Sequence, residues 1–257
     1  DKTGDSFTYT LTDGDGDAST TTLVIGSTAT PDITQETPAG TPGEITVDEA
    51  NLLTGSHPNP AALTAGGTFL VDSHGEGFQS VTVGGVNIPV DGTFTTPIVV
   101  DTDHGTMTIT GVAAKGSESY ELTYSYSLSS TVINGAPDQL LPTVPIHVVD
   151  KSGDTADSHI TIDVKDDVAT AANDSYDMHN LSGPISVTAA AGVESNDVFG
   201  ADGKVAGGGV VGVATGDTGA SLDTGAGVGT KLTGAHGDLT LNADGSYTYT
   251  RTDTGPF

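Results

Sequence analysis

The sequence predicts an all-β protein built from Ig-like or cadherin-like Greek-key sandwiches in tandem, and three observations carry that prediction. Apolar and hydroxyl residues alternate with period two in many short segments, the half-buried strand pattern. Of the 34 acidic residues 27 are Asp and 7 are Glu, and there are 36 Gly; Asp and Gly favour turns over helices. Helical periodicity is nearly absent. At 257 residues the chain is long enough for two small domains. A 35% hydrophobic content, diluted by 41 Thr, suits thin sandwich cores.

Each element follows from its own residues. Ser6-Phe7-Thr8-Tyr9-Thr10-Leu11-Thr12 alternates strictly, and so do Gln79–Val83, Thr106–Thr110, Ser158–Val164 and Asp238–Leu241. Asp48–Leu53 makes at most one short helical turn. A repeat is visible as well. Gly4–Asp13 resembles Ala243–Asp253, and Tyr124–Leu128 is a looser third version. The segment Leu11-Thr12-Asp13-Gly14-Asp15-Gly16-Asp17, followed by Leu23-Val24-Ile25, parallels Val148-Val149-Asp150-Lys151-Ser152-Gly153-Asp154, followed by Ile160-Thr161-Ile162. Each reads as strand, Asp/Gly turn and closing strand. The expected organisation is a closing hairpin over residues 1–26, a complete domain over 30–166, and over 167–257 a domain without its closing strands. Phe257 breaks off near where Asp1 takes up, through either a tandem-array period or an arbitrary boundary.

The charge of -27 narrows the partners. Seven Lys and Arg are too few to neutralise nucleic-acid phosphates. No apolar run is long enough for a membrane helix. No signal-peptide pattern opens the sequence, so export is expected to be directed from outside these residues. Self-repulsion of this size opposes compaction unless cations offset it. A hard divalent ion with oxygen ligands, calcium outside a cell, is the expected cofactor; a solvated acidic surface is the alternative. With no Cys, disulfides are absent and metal could take their stapling role.

Candidate ligands fall in clusters. Asp13, Asp15 and Asp17 alternate, but the EF-hand positions for Gly and Glu hold Ala18 and Val24, which excludes an EF-hand. Asp-Gly hairpin chemistry explains this turn equally well. Asp166 and Asp167, followed by Asn173 and Asp174, lie where one domain should pass into the next, and Asp32 holds the equivalent earlier place. Asn196, Asp197 and Asp202, with Glu194 nearby, form another loop cluster. Asp101-Thr102-Asp103-His104 reads as a solvated edge turn. Enzyme patterns are missing: the His residues show no zinc spacing, and neither a G-x-S-x-G elbow nor a P-loop is present. Without Trp a sugar-stacking cleft is disfavoured.

The residues also resemble a known family. Gly67-Thr68-Phe69, Ser80–Gly85, His104–Gly111 and Leu122–Tyr126 are similar to the long repeats of type I-secreted bacterial adhesins. Asp150-Lys151-Ser152-Gly153-Asp154 matches their D-x-x-G-D turn, which adds Asp150 and Asp154 to the candidate ligands. Ala172–Ser175, Gly192–Asp197 and Gly237–Tyr249 resemble a VCBS, cadherin-like repeat, and residues 1–26 look like its missing tail. The resemblance implies extender repeats of an RTX-type adhesin on the bacterial cell surface. Such repeats are Ig-like domains in series, with calcium at the linkers removing hinge freedom, and they space a ligand-binding tip from the cell. The implied partners are adjacent repeats, with residues 1–26 completing the 167–257 domain of another copy. A fibre subunit joined by donated strands, or a sugar- or protein-binding sandwich, stands as the alternative. The family's nonapeptide calcium repeats are not found in these residues.

Overall fold

Along the central strands of the two five-stranded sheets, buried side chains alternate with exposed or half-buried ones. A computed structural model describes residues 5–26, 29–36, 44–132, 143–178, 183–219 and 221–253; the end residues Asp1 and Phe257 lie outside these. The strands of the first part are β1 (Asp5–Thr12), β2 (Ala18–Ile25), β3 (Asp32–Glu36), β4 (Glu44–Asp48), β5 (Thr64–Asp72) and β6 (Phe78–Val83). They are followed by β7 (Val86–Asn87), β8 (Ile98–Thr102), β9 (Gly105–Gly116), β10 (Ser119–Leu128), β11 (Thr143–Asp150) and β12 (Thr155–Lys165). The last part adds β13 (Ile185–Val187), β14 (Lys231–Thr233), β15 (Gly237–Leu241) and β16 (Tyr247–Arg251). The expected short helical turn is a single 3-10 turn at Glu49–Asn51.

The chain forms two compact units, Asp1–Glu49 with Asn59–Asp166, and Ala50–Pro58 with Asp167–Phe257. The sequence had placed residues 50–58 inside the first domain. They join the second because Ser56 holds Asp167: its N–H donates to Oδ2 at 2.7 Å and its hydroxyl to Oδ1 at 2.6 Å.

In the first unit the sheet β3-β5-β10-β9-β8 and the sheet β4-β12-β11-β6-β7 make the β-sandwich. Pairing is antiparallel except between β12 and β4. The alternation read from the sequence sets the faces. On β10, Leu122, Tyr124, Tyr126 and Leu128 are buried while Thr123, Ser125 and Ser127 are not. Met107 and Ile109 on β9 are fully buried between exposed or half-buried Thr. Ile160, Ile162 and Val164 come from β12, and Val144, Ile146 and Val148 from β11. Each such side chain contributes roughly 1.5–3 kcal/mol by leaving water. The inward row of β11 ends on a carboxylate, Asp150, which is 0% exposed.

The hairpin β1-β2 is a separate two-stranded sheet. In the second unit β13-β16-β15-β14 is one four-stranded antiparallel sheet. The register puts Ile185, Tyr249, Leu239 and Leu232 in one row across it, with Tyr247 opposite Leu241 in the next. Long irregular segments make up most of the rest, pinned by a bridge between Thr170 and Val198 and by Glu194. That buried carboxylate accepts Gly209 N–H and the Lys204 ammonium, each at 2.6 Å, and Lys204 also lies 4.6 Å over the Phe199 ring.

Candidate functional site

Three hairpin loops share one construction. Asp13 N–H donates to Asp17 O and Gly16 N–H to Asp13 O; Asp150 with Asp154 and Gly153, and Asn242 with Ser246 and Gly245, repeat both bonds. In each, the Gly takes a positive φ: 102° at Gly16, 93° at Gly153 and 78° at Gly245. These are three-residue loops ending in a left-handed residue, which fixes why Gly recurs there. The similarity of Leu11–Asp17 to Val148–Asp154, read from sequence, is thus a similarity of backbone. In both Asp-led loops the first carboxylate caps the turn. Asp13 Oδ1 accepts Gly16 and Asp17 N–H at 3.1 and 2.9 Å, and Asp150 Oδ1 accepts Ser152 and Asp154 N–H, each at 2.9 Å.

What surrounds the first carboxylate differs. Asp13, Asp15 and Asp17 are exposed, and one carboxylate oxygen from each lies within 4.8 Å of the other two. The adjacent Asp15 carboxyl, then the Asp17 N–H, hold Asp13 below the usual carboxylate range. Three hard oxygen donors at this separation suit calcium chemically. Asp150 instead faces the core, and Ser152 Oγ donates to its Oδ1 at 2.6 Å and to Asp154 Oδ2 at 3.4 Å.

Asp32 is exposed and meets His74 Nε2 at 2.9 Å. Asp166 closes the first unit, and Asp167 opens the longer segment of the second with both oxygens on Ser56. Asp197 accepts Ala172 N–H at 2.8 Å, and Asn196 donates its side-chain amide to Asn173 O at 3.2 Å, so these residues fasten one loop to another. Asp174 borders a shallow cleft, and Asp202 is exposed in a turn. Two Glu residues take roles that the sequence does not signal. Glu194 was noted as a neighbour of a cluster and proves to be an internal ion-pair partner. Glu76, which no sequence motif singles out, has both carboxylate oxygens buried.

A second kind of feature is apolar. The register of β1 with β2 places Phe7 opposite Leu23, Tyr9 opposite Thr21, and Ile25 opposite Asp5. Phe7, Tyr9, Leu11, Leu23 and Ile25 therefore share one face of the hairpin, and they are 46–64% exposed. In the second unit a cleft of about 200 Å³ is lined by Tyr176, Met178, Ile185, Leu239, Tyr247 and Tyr249. A neighbouring one of about 190 Å³ adds Val193 and Leu241. Both open on the apolar row of the four-stranded sheet.

No family model and no curated protein matches the chain. Among solved structures it is similar to the major pilin subunit of Bacillus cereus, BcpA, at 12% identity with a TM-score of 0.27. A form of that pilin with one Asp-to-Ala substitution gives 12% identity and a TM-score of 0.28. Each match covers 70% of this chain and 55% of the pilin, so the chain spans about half the length of the structures it matches.

Proposed function

We propose that this chain is a structural segment of a bacterial surface adhesin or fibre. In this reading β-sandwich units are joined by strand pairing, and the hairpin β1-β2 of one copy closes the sheet of the second unit of another. The observation that carries it is the hairpin: five large apolar side chains on one face, every described side chain exposed. An isolated two-stranded hairpin is marginal in water. The apolar row of β13-β16-β15-β14 offers the matching surface, with edge strands at β13 and β14. Added strands gain affinity from main-chain hydrogen bonds and selectivity from alternate side chains. The chain works here as a spacer, with no chemistry of its own.

Sedimentation tests the reading. The parent chain should form larger species as its concentration rises, and a chain lacking residues 1–26 should remain a monomer. A parent that stays monomeric throughout contradicts it. Calcium belongs to the same proposal, held first by Asp13, Asp15 and Asp17. Ions that bind only the folded chain stabilise by mass action, roughly 2.7 kcal/mol at a hundredfold excess over the dissociation constant. Melts in calcium should therefore lie several degrees above melts in chelator, and superimposable melts would remove the metal from the account.

A further inference from the structure

We infer that Glu76 and Asp150 form a buried cation site, of a size and hardness suited to calcium, between the β5–β6 turn and the end of β11. It is separate from the exposed Asp13 loop and independent of strand pairing. Asp150 is 0% exposed, and while its Oδ1 caps the 150–154 turn, its Oδ2 is buried with no hydrogen-bond partner. Both oxygens of Glu76 are buried and without a partner as well. Buried carboxylate oxygens are normally paired, hydrogen-bonded or on a metal, because the uncompensated charge is costly.

The fold brings the backbone segments of the two acids side by side. Asp150 pairs in register with Phe78, and Lys151 N–H donates to Gly77 O at 2.9 Å, so Glu76 stands beside the start of the 150–154 turn. The turn that carries Glu76 is held from below. Fully buried Ser73 donates its hydroxyl to Glu118 O at 3.2 Å and accepts Gly77 N–H at 2.9 Å. The local charge favours a cation too. Besides Glu76 and Asp150, one further acid and one base border the turn: Glu118 Oε2 and Lys151 Nζ lie 3.3 and 2.8 Å from where a Cβ on Gly77 would stand. One ammonium cannot offset Glu76, Asp150 and Glu118 together. A calcium ion takes six to eight oxygens, so main-chain carbonyls and water would supply what the two acids do not.

Terbium, which replaces calcium in oxygen sites and luminesces when a nearby tyrosine is excited, is the probe. The chain has no Trp, and Tyr120 packs on Phe78 with ring centroids 6.1 Å apart, so Tyr120 is the local antenna. The full chain carrying Asp15→Asn and Asp17→Asn, which weaken the hairpin loop, should give a saturable terbium signal that calcium displaces. Adding Glu76→Gln should weaken terbium and calcium by about tenfold or more, since affinity follows ligand charge. Tyr120→Phe should cut the luminescence and leave calcium affinity unchanged. Asp150→Asn keeps the turn's Oδ1 acceptor and should behave as Glu76→Gln; if it fails to fold, Glu76→Gln decides alone. Unaltered affinity in Glu76→Gln overturns the site. So does calcium-independent stability that falls on Lys151→Met, which would make the lysine the balancing charge.

Discussion

Tyr124 shows how a residue's burial becomes a pH dependence. Its hydroxyl is buried without a partner in the first unit's core, and burial pushes its pKa up to about 12. In the unfolded chain a tyrosine ionises near pH 10. Below that value both states hold the proton and stability is unaffected. From about pH 10 to 12 the unfolded chain loses its proton first, so stability falls as pH rises through that window. Tyrosinate absorbance should show Tyr124 among the last to ionise, together with unfolding, and Tyr124→Phe should flatten the alkaline loss. Gly153 gives a second test. At φ 93° with open space around its missing Cβ, it is constrained by backbone conformation alone. Gly153→Ala should cost about 1–2 kcal/mol in urea unfolding, and Gly153→Asn less, since Asn enters the left-handed region more readily.

At the scale of elements, the Asp167 side chain ties residues 50–58 to the longer segment of the second unit. Asp167→Ala removes the acceptor for two Ser56 hydrogen bonds, and bonds to a charged group are worth about 1.5–3 kcal/mol. Hydrogen exchange at Ser56 should quicken in Asp167→Ala. Asp167→Asn, which keeps one acceptor oxygen, should fall between it and the parent. The strands themselves were legible in the sequence because Thr and Ser alternate with Val, Ile, Leu and Tyr. Such alternation reports sheet faces directly, as Leu122 to Leu128 do. The equivalence of the Asp13 and Asp150 loops was legible because a left-handed Gly at the same offset is a local demand. The Ser56–Asp167 join was hidden, since its partners are 111 residues apart and neither has a periodic signal. Glu76 was hidden for a related reason. Ser73-His74-Gly75-Glu76-Gly77 has no periodic signal, and the pairing of β6 with β11 that sets Gly77 against Lys151 is long-range. The acids chosen from sequence as one class divide in the structure into turn caps, loop fasteners and an exposed triad.

For the whole molecule, a charge of -27 spread over one sandwich and a four-stranded sheet resists dense assembly unless contacts are specific. In the proposed assembly, the hairpin with one apolar face and the sheet with an apolar row bordered by clefts would make such a contact without added charge. The most direct test uses the chain without residues 1–26 and a separate peptide of residues 1–26. Hydrogen exchange is followed at the amides of β13 to β16. The account predicts that the peptide slows exchange along an edge strand of that sheet, and that Phe7→Ser with Leu23→Ser in the peptide abolishes the protection. Equal exchange with and without the peptide would contradict it.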